Sequence, residues 1–283
     1  MKTQCKLLIL GLLFIGIFIS NDITAQKVLD KPWIKENTPT RRVVPYTHVR
    51  EADVMWHRRV WRTIDLREKI NHPLYYPIQE IEDRKSLFDV IKLGVEEGTI
   101  TAYDETSDEF ELPLTKAEVT QGILKYPEVK EQYDEYGDVM DGFADTIWQD
   151  YSSQDIVSYR LKEDWFFDNE RSIMDVRIMG ICPVRLEYDE NMNVKGKVPM
   201  FWVYFPEARY VFANYDVFNR QNDAERRTFD DIFWKRMFNS YAYKRSNVYD
   251  RNNRAYLLGL DLLLEADQIK EDIFIMEHDL WHF

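Results

Sequence analysis

The side chains best suited to chemistry are two histidines in the segment HDLWH near the end of the sequence. His278 and His282 lie four residues apart, so on a helix both would face the same ligand. Asp279 follows the first histidine where the HExxH pattern of zinc metalloproteases has Glu. Asp is shorter than that general base, and no third ligand follows in the sequence. We therefore predict no metal site and place both histidines at the negative end of a helix dipole.

A catalytic thiol and a bound cofactor are poorly supported as well. Cys182 precedes Pro183 in a strand-like segment with no nearby histidine, which indicates a buried structural thiol. The chain has 10 glycines and contains neither a phosphate-binding glycine loop nor a nucleophile elbow. The acidic segment 104–111 lacks the glycine and the ligand spacing of a calcium loop. We expect no catalytic residue, no cofactor and no enzymatic activity.

The first 25 residues are typical of a secretory signal peptide. Lys2 and Lys6 precede an apolar run from Leu7 to Ile19, which is too short to span a bilayer comfortably. Small and polar residues follow, and we predict cleavage after Ala25. The alternative is an uncleaved anchor helix. The mature chain would keep one cysteine, so it could form no intramolecular disulfide in an oxidising compartment.

Charge is distributed unevenly along the mature chain, whose net charge is −14. Residues 26–75 carry a balance of +5 and residues 76–170 a balance of −17. These segments could pair within one molecule or head to tail between copies, or the acidic segment could be a solvated surface. Nucleic acid is a poor partner for so acidic a chain.

The segment from Val49 to Pro77 is the one around which we expect the chain to be organised. Apolar residues recur at steps of three and four from Val49 to Ile64, which predicts an amphipathic helix that ends in a turn at Pro73 and Pro77. Such a helix could pack only on its own domain. The density of Trp, Tyr and Arg instead favours a protein interface, formed by Trp56, Arg58, Arg59, Trp61, Arg62, Tyr75 and Tyr76.

The remaining N-terminal half is predicted to be mainly helical and acidic. We expect an extended tail over 26–48 and a subdomain over 49–150. Capping boxes begin helices at Ser86, with a stop at Gly98, and at Thr115. A small hairpin is expected between residues 99 and 112, and a surface helix or ordered loop over 128–142.

The C-terminal half, 151–283, is predicted to be a second subdomain of mixed structure. After a helix that begins at Ser152, alternating residues from Met174 indicate a strand, and 184–205 forms a β-hairpin. Short helices begin at Pro206 and Thr228, and a long helix, buried along much of its length, covers 255–280. A second predicted interface consists of Trp202, Tyr204 and Arg209. The fold class is α+β: a helical N-terminal half with a small β-hairpin, then an antiparallel sheet covered by helices and a long C-terminal helix.

Three long stretches of sequence carry a family resemblance: VREADVMWHRRVWRTIDLREKINHPLYYP, YFPEARYVFANYDVFNRQNDAERRTF and EADQIKEDIFIMEHDLWHF. In this order, from about Val49 to Phe283, they closely resemble the gliding-motility protein N family (GldN, also called PorN). The resemblance implies a non-enzymatic subunit of a periplasmic ring in the type IX secretion system. Its implied partners are an outer-membrane lipoprotein (the K component), an inner-membrane-anchored motor protein (the M component) and further copies of the chain.

A different class of function remains open from the residues themselves. An aromatic cleft near Trp165 and Trp202 could serve a periplasmic hydrolase or a peptide-binding module. Bound zinc, or an effect of His278→Ala without loss of assembly, would favour that alternative.

Overall fold

The computed structural model of the protein describes residues 42–81, 84–133, 139–188, 193–222 and 224–280, apart from the side chains of 128–133 and 139–146. These residues belong to one compact unit, Pro39–Phe283. The predicted signal peptide, the tail before Arg42 and His282 lie outside them. Within the described ranges, no helix is both long and apolar enough to cross a membrane.

The described chain contains eleven strands and six α-helices, and strands β3 to β8 follow one another without an α-helix between them. The strands are β1 Val54–Asp65, β2 Ala102–Tyr103, β3 Lys125–Tyr133, β4 Val139–Asp150, β5 Ile156–Asp168, β6 Ile173–Tyr188, β7 Val194–Pro199, β8 Trp202–Tyr204, β9 Asp216–Val217, β10 Arg227–Thr228 and β11 Tyr241–Arg245. The helices are α1 His72–Tyr75, α2 Leu87–Glu97, α3 Lys116–Glu118, α4 Phe205–Phe212, α5 Phe229–Trp234 and α6 Leu260–Asp279. A π-helical turn, Val119–Ile123, extends α3, and 3₁₀ turns occupy Glu51–Asp53, Ser153–Asp155 and Asn253–Ala255.

A seven-stranded antiparallel sheet forms the centre of the fold, and the predicted α+β class is confirmed. Its strand order is β11-β1-β5-β6-β8-β2, with β7 paired to β6. Two small two-stranded sheets, β3-β4 and β9-β10, lie outside it. Strands from 49–150 and from 151–283 are therefore neighbours in one sheet, because β1 pairs with both β5 and β11.

The predicted helix over Val49–Ile64 is wrong, since this segment forms strand β1. Trp56, Val60 and Ile64 are four residues apart, a spacing that fits a helical stripe and also places all three on one face of a strand. Pairing with a strand on each side decides between the two, and the segment is rich in the β-branched and aromatic residues that strands favour.

Two further helix predictions are also corrected to strands. Residues 128–142, predicted as a surface helix or loop, belong largely to β3 and β4, which pair with each other. The capping box of Ser152 and Asp155 exists, but it starts only a 3₁₀ turn before β5. The subdomain 49–150 contains β1 to β4 and is not mainly helical.

The helix starts predicted at Ser86, Thr115 and Thr228 are confirmed by their capping hydrogen bonds, whereas the long C-terminal helix begins at Leu260 and not at 255. Ser86 Oγ accepts from the Asp89 backbone at 3.1 Å, and Gly98 ends α2 at φ +79°. Thr115 and Thr228 form capping boxes with Glu118 and Asp231 at the starts of α3 and α5. The β6-β7 hairpin is present, and Trp202 and Val203, on opposite faces of β8, are both buried.

The two faces of the main sheet are covered differently. The largest apolar cluster lies between one face and helices α2, α4 and α5, and it includes Ile64, Leu161 and Val203. The opposite face carries Trp61, Cys182 and Trp202, and Phe110 from the loop after β2 packs against it. A Cβ on Gly180 would lie 2.6 Å from Phe110 Cζ, so this position must be glycine for the loop to approach.

The long C-terminal helix is present, but its predicted burial is not. Only Ala266, Ile269 and Ile273 of the described residues of α6 are buried, and the two isoleucines pack with Val60 of β1 and Ala242 of β11. Leu260 and Leu264 form a second apolar row on the same helix, and both are exposed.

Candidate functional site

Trp61 and Arg62, predicted as contact residues, are buried in the sheet. Trp61 is 6% exposed, its Nε1 donates to the Asp108 carboxylate, and Lys244 Nζ lies 4.3 Å from its ring centre. Arg62 is 8% exposed and donates to Ser240 Oγ at 2.9 Å. Burial lowers the Arg62 pKa, because desolvation disfavours the charged form. Both side chains therefore support the sheet from within and present little surface to a partner.

The rest of this predicted group is partly exposed. Arg58 stacks on Trp56, with its Cζ 5.5 Å from the ring centre, and reaches Asp272 of α6 at 3.6 Å. Arg59 forms two hydrogen bonds with Asp164 of β5, at 2.6 and 3.1 Å. These bonds raise the Arg59 pKa, so the guanidinium stays charged. Trp56 and Arg58 thus form a partly exposed patch next to α6, whereas Arg59 lies with Asp164 on the opposite face of β1, the face of Trp61.

Tyr75 and Tyr76 lie beside a groove on the described surface, and of the two only Tyr76 lines it. Their rings meet edge to face at 4.8 Å, and Tyr76 is half-exposed before a cis bond to Pro77. The groove has a volume of about 790 Å³, and Tyr76 and Phe218 line it. Arg84 lies over Phe218, with its Cζ 5.7 Å from the ring centre. Sequence reasoning found the tyrosines but missed Phe218 and Arg220, which come from a distant segment.

The second predicted group, Trp202, Tyr204 and Arg209, does not form one surface. Trp202 is 4% exposed, and Phe110 packs edge to face against both Trp202 and Tyr204. Arg209 lies on α4, is 2% exposed, and donates two hydrogen bonds to Asp230 at 2.7 and 3.2 Å.

Arg209 also fixes the beginning of the described chain. Its Cζ lies 4.4 Å from the Tyr46 ring centre and 4.8 Å from that of Trp234. Burial raises the Tyr46 pKa, so its hydroxyl stays neutral. The next residue, Thr47, accepts a hydrogen bond through its backbone oxygen from Arg177. Arg209 is thus a structural clamp that holds the extended segment before β1, a role that depends on contacts distant in sequence.

The predicted aromatic cleft near Trp165 and Trp202 is absent from the described structure. Trp165 packs beside Val60 under α6, whereas Trp202 belongs to the cluster on the opposite sheet face. Side chains alternate between the two faces of a strand. Trp165 and Lys162 are three residues apart in β5 and therefore point to opposite faces, and Lys162 points to the same face as Trp202. The two tryptophans cannot line one substrate site.

The side chains considered for chemistry are poorly placed for it. Cys182 is fully buried, and desolvation raises the pKa of its thiol to about 12, so the nucleophilic thiolate is scarce at neutral pH. His278 is exposed near the end of α6. His282, the second histidine of the HDLWH segment, lies outside the described residues. No group of three or more His, Cys, Asp or Glu within the described ranges could hold a metal ion.

The outward face of α6 is a surface that sequence reasoning assigned wrongly to the core. Its apolar side chains are between 47% and 68% exposed, namely Leu260, Leu263, Leu264, Phe274 and Ile275. A signal existed in the sequence: Leu260 and Leu264 lie across the helical wheel from Ile269 and Ile273, so one packed face could not bury both rows.

Comparison with known proteins gives one informative result. A search of curated proteins finds no match to the chain. Residues 49–282 match the family described as gliding motility associated protein GldN, which covers every strand and helix of the described fold. The chain therefore belongs to the GldN family, and it is a component of the gliding-motility and type IX secretion apparatus.

Proposed function

We propose that this protein is a non-enzymatic structural subunit of a periplasmic ring in the type IX secretion system. The observation that carries the proposal is the family match over residues 49–282. Copies would associate in a closed ring, bind an outer-membrane lipoprotein (the K component) and contact an inner-membrane-anchored motor protein (the M component). The role would be mechanical, since the ring would link the lipoprotein to the motor.

The location follows from the predicted signal peptide. Export and cleavage after Ala25 would release the mature chain into the periplasm, at the inner face of the outer membrane through the lipoprotein. The charge bias of the sequence supports protein partners over nucleic acid, since the mature chain carries a net charge of −14.

The exposed side chains suggest where partners would bind. Trp56 and Arg58 form one partly exposed patch, Arg59 is partly exposed on the opposite sheet face, and Tyr76, with Tyr75 packed against its ring, borders the 790 Å³ groove. Aromatic and arginine side chains concentrate at the centres of protein interfaces. Trp61, Arg62, Trp202 and Arg209 would contribute indirectly, by holding these surfaces in place, and Tyr204 lies half-buried beside Phe110.

Light scattering on the purified mature chain, alone and mixed with the lipoprotein, tests this function. We expect a species much larger than a 1:1 complex in the mixture, and ring-shaped particles containing both proteins by electron microscopy. A monomer that ignores the lipoprotein would contradict the proposal. A Tyr76→Ala variant with native circular dichroism should bind at least one partner more weakly, whereas Tyr188→Ala, an exposed tyrosine on β6, should bind normally.

A further inference from the structure

The exposed face of α6 carries apolar side chains near both ends of the helix. The helix has 20 residues and is therefore about 30 Å long. Its inner face already packs on β1 and β11, so the outer residues Leu260, Leu264, Phe274 and Ile275 have no place in the protein's own core. Exposed apolar surface of this extent typically marks an interaction site.

The same face carries acidic charge that is not neutralised. Four exposed side chains of α6, Asp261, Asp267, Glu271 and Glu277, form no ion pair among the described residues. The inner acids Glu265 and Asp272, in contrast, pair with Arg245 at 3.3 and 2.7 Å. Two copies joined through this face alone would bring like charges together, which costs free energy. The occupant of the face should therefore be apolar and basic.

The groove beside Tyr76 has that complementary chemistry. Its exposed apolar residues are Ile81, Tyr76 and Phe218, and an adjoining depression of about 370 Å³ adds Ile70 and Met237. The two share Pro73, Phe218 and Arg220, so they form one continuous groove.

Basic side chains on the groove wall lack acidic partners. Lys69 and Arg220 are exposed, and neither forms an ion pair among the described residues. The acidic side chains there are engaged: Glu80 lies 3.5 Å from Lys85, and Asp216 has its own partner. Lys69 and Arg220 are therefore available to carboxylates of another molecule.

We propose that the outer face of α6 of one copy docks in the Tyr76–Phe218 groove of the next copy. The inference deepens the proposed ring function and rests on it. The helix lies against Trp56 and Val60, whereas the groove follows the other end of β1 beyond Asp65, so one copy presents the two surfaces at different places. A contact between two different surfaces of one chain is heterologous and can repeat around a ring.

The outer face of α6 is large enough to supply much of a stable interface. Half the lateral surface of such a helix is on the order of 500 Å², a large share of the roughly 800 Å² per partner in a stable interface. Asp267 and Glu271 would lie toward Lys69 and Arg220, and Leu264 and Phe274 toward Phe218 and Ile81. Electrostatic matching would set the direction of the contact, and apolar burial would hold it.

Charge reversal in the full mature chain tests the contact. One variant carries Asp267→Lys and Glu271→Lys, and the other carries Lys69→Glu and Arg220→Glu. Each alone should self-associate about tenfold more weakly or worse by sedimentation. An equal mixture should recover association, because each variant then offers the surface that the other needs. A control variant carries Glu97→Lys and Glu111→Lys, at exposed sites elsewhere on the surface. It changes the net charge by the same amount as the first variant, and it should associate normally.

Cross-linking supplies a second, direct measurement. A chain with Leu264→Cys and a chain with Phe218→Cys should be joined by a short bis-maleimide only when mixed, since the native Cys182 is buried and unreactive. Association that both reversals leave unchanged would overturn this contact while leaving the ring itself intact. Self-association that each reversal weakens and their mixture restores, without lipoprotein binding, would overturn the proposed function but support the contact. A species that stops at two copies would mean reciprocal pairing and would refute a repeating contact.

Discussion

Replacing Arg209 by Met should destabilise the protein strongly, although Arg209 is buried and offers no surface to another protein. The guanidinium is 2% exposed, lies between Tyr46 and Trp234, and donates two hydrogen bonds to Asp230. Met fills a similar volume but leaves the Asp230 carboxylate, whose side chain is 13% exposed, without its partner. The N-terminal segment would also lose its stacking contact at Tyr46.

The magnitude follows from the burial of the pair. Removing one member of a buried ion pair costs about 3–5 kcal/mol, because the remaining charge stays desolvated. Arg209→Lys keeps the charge but loses the two-pronged geometry, so it should cost about 1.5–3 kcal/mol. Total stability is typically about 5–15 kcal/mol. Arg209→Met therefore removes a large fraction of it.

Urea unfolding followed by circular dichroism measures the effect. With a slope of roughly 3 kcal/mol/M, the Arg209→Met midpoint should fall by about 1 M or more. Arg58→Met is the matched control, because Arg58 meets Asp272 at 3.6 Å with both side chains 33% exposed. That exposed pair should contribute no more than about 1 kcal/mol. Equal losses for the two variants would refute the reasoning, as would a double variant with Asp230→Asn whose loss equals the sum of the single losses.

Three further predictions follow from single side chains. Asn71 is fully buried and forms three hydrogen bonds, one with Asp65 and two with Asn239. Asn71→Ala should therefore lower the free energy of unfolding by about 2–3 kcal/mol in the same urea assay, and a loss below about 1 kcal/mol would contradict this prediction. Cys182 should resist a maleimide at pH 8 until urea unfolds the protein; rapid labelling of the native state by mass spectrometry would contradict its burial. Arg67 lowers the pKa of Asp65, and Arg171 lowers that of Asp168, through side-chain hydrogen bonds. Both contributions are fully present well above the unfolded pKa of about 3.9, begin to fall near pH 5 and are lost as pH falls through the folded values. The urea midpoint should therefore decrease as the pH is lowered below roughly 5, and it should decrease less in Asp168→Asn.

Local signals in the sequence predicted local structure well. The helix starts at Ser86, Thr115 and Thr228 are correct because each depends on a hydrogen bond within three residues. The alternation from Met174 likewise indicated β6. The α+β class follows from such elements.

Errors arose where distant residues decide the outcome. The four-residue spacing of Val60 and Ile64 suits a helix and a strand equally, and only pairing with β5 and β11 resolves it. Trp61 looked like a contact residue, but Asp108, 47 positions away, covers it. The sequence places two apolar rows on opposite sides of α6 but does not show which row is buried. Only the position of β1 decides this.

The position of the two surfaces bears on a mechanical role. Helix α6 packs on Trp56 and Val60 near the start of β1, and the groove begins just beyond its end at Asp65. A strand hydrogen-bonded on both sides is stiff, because any stretch must break ladder bonds to β5 and β11 together. Asn71 ties the groove wall to the Asp65 backbone at 2.8 Å and to Asn239, just before β11. Force applied to the helix would thus reach the groove through β1 with little deformation, which suits the proposed role as a ring subunit under load from a motor.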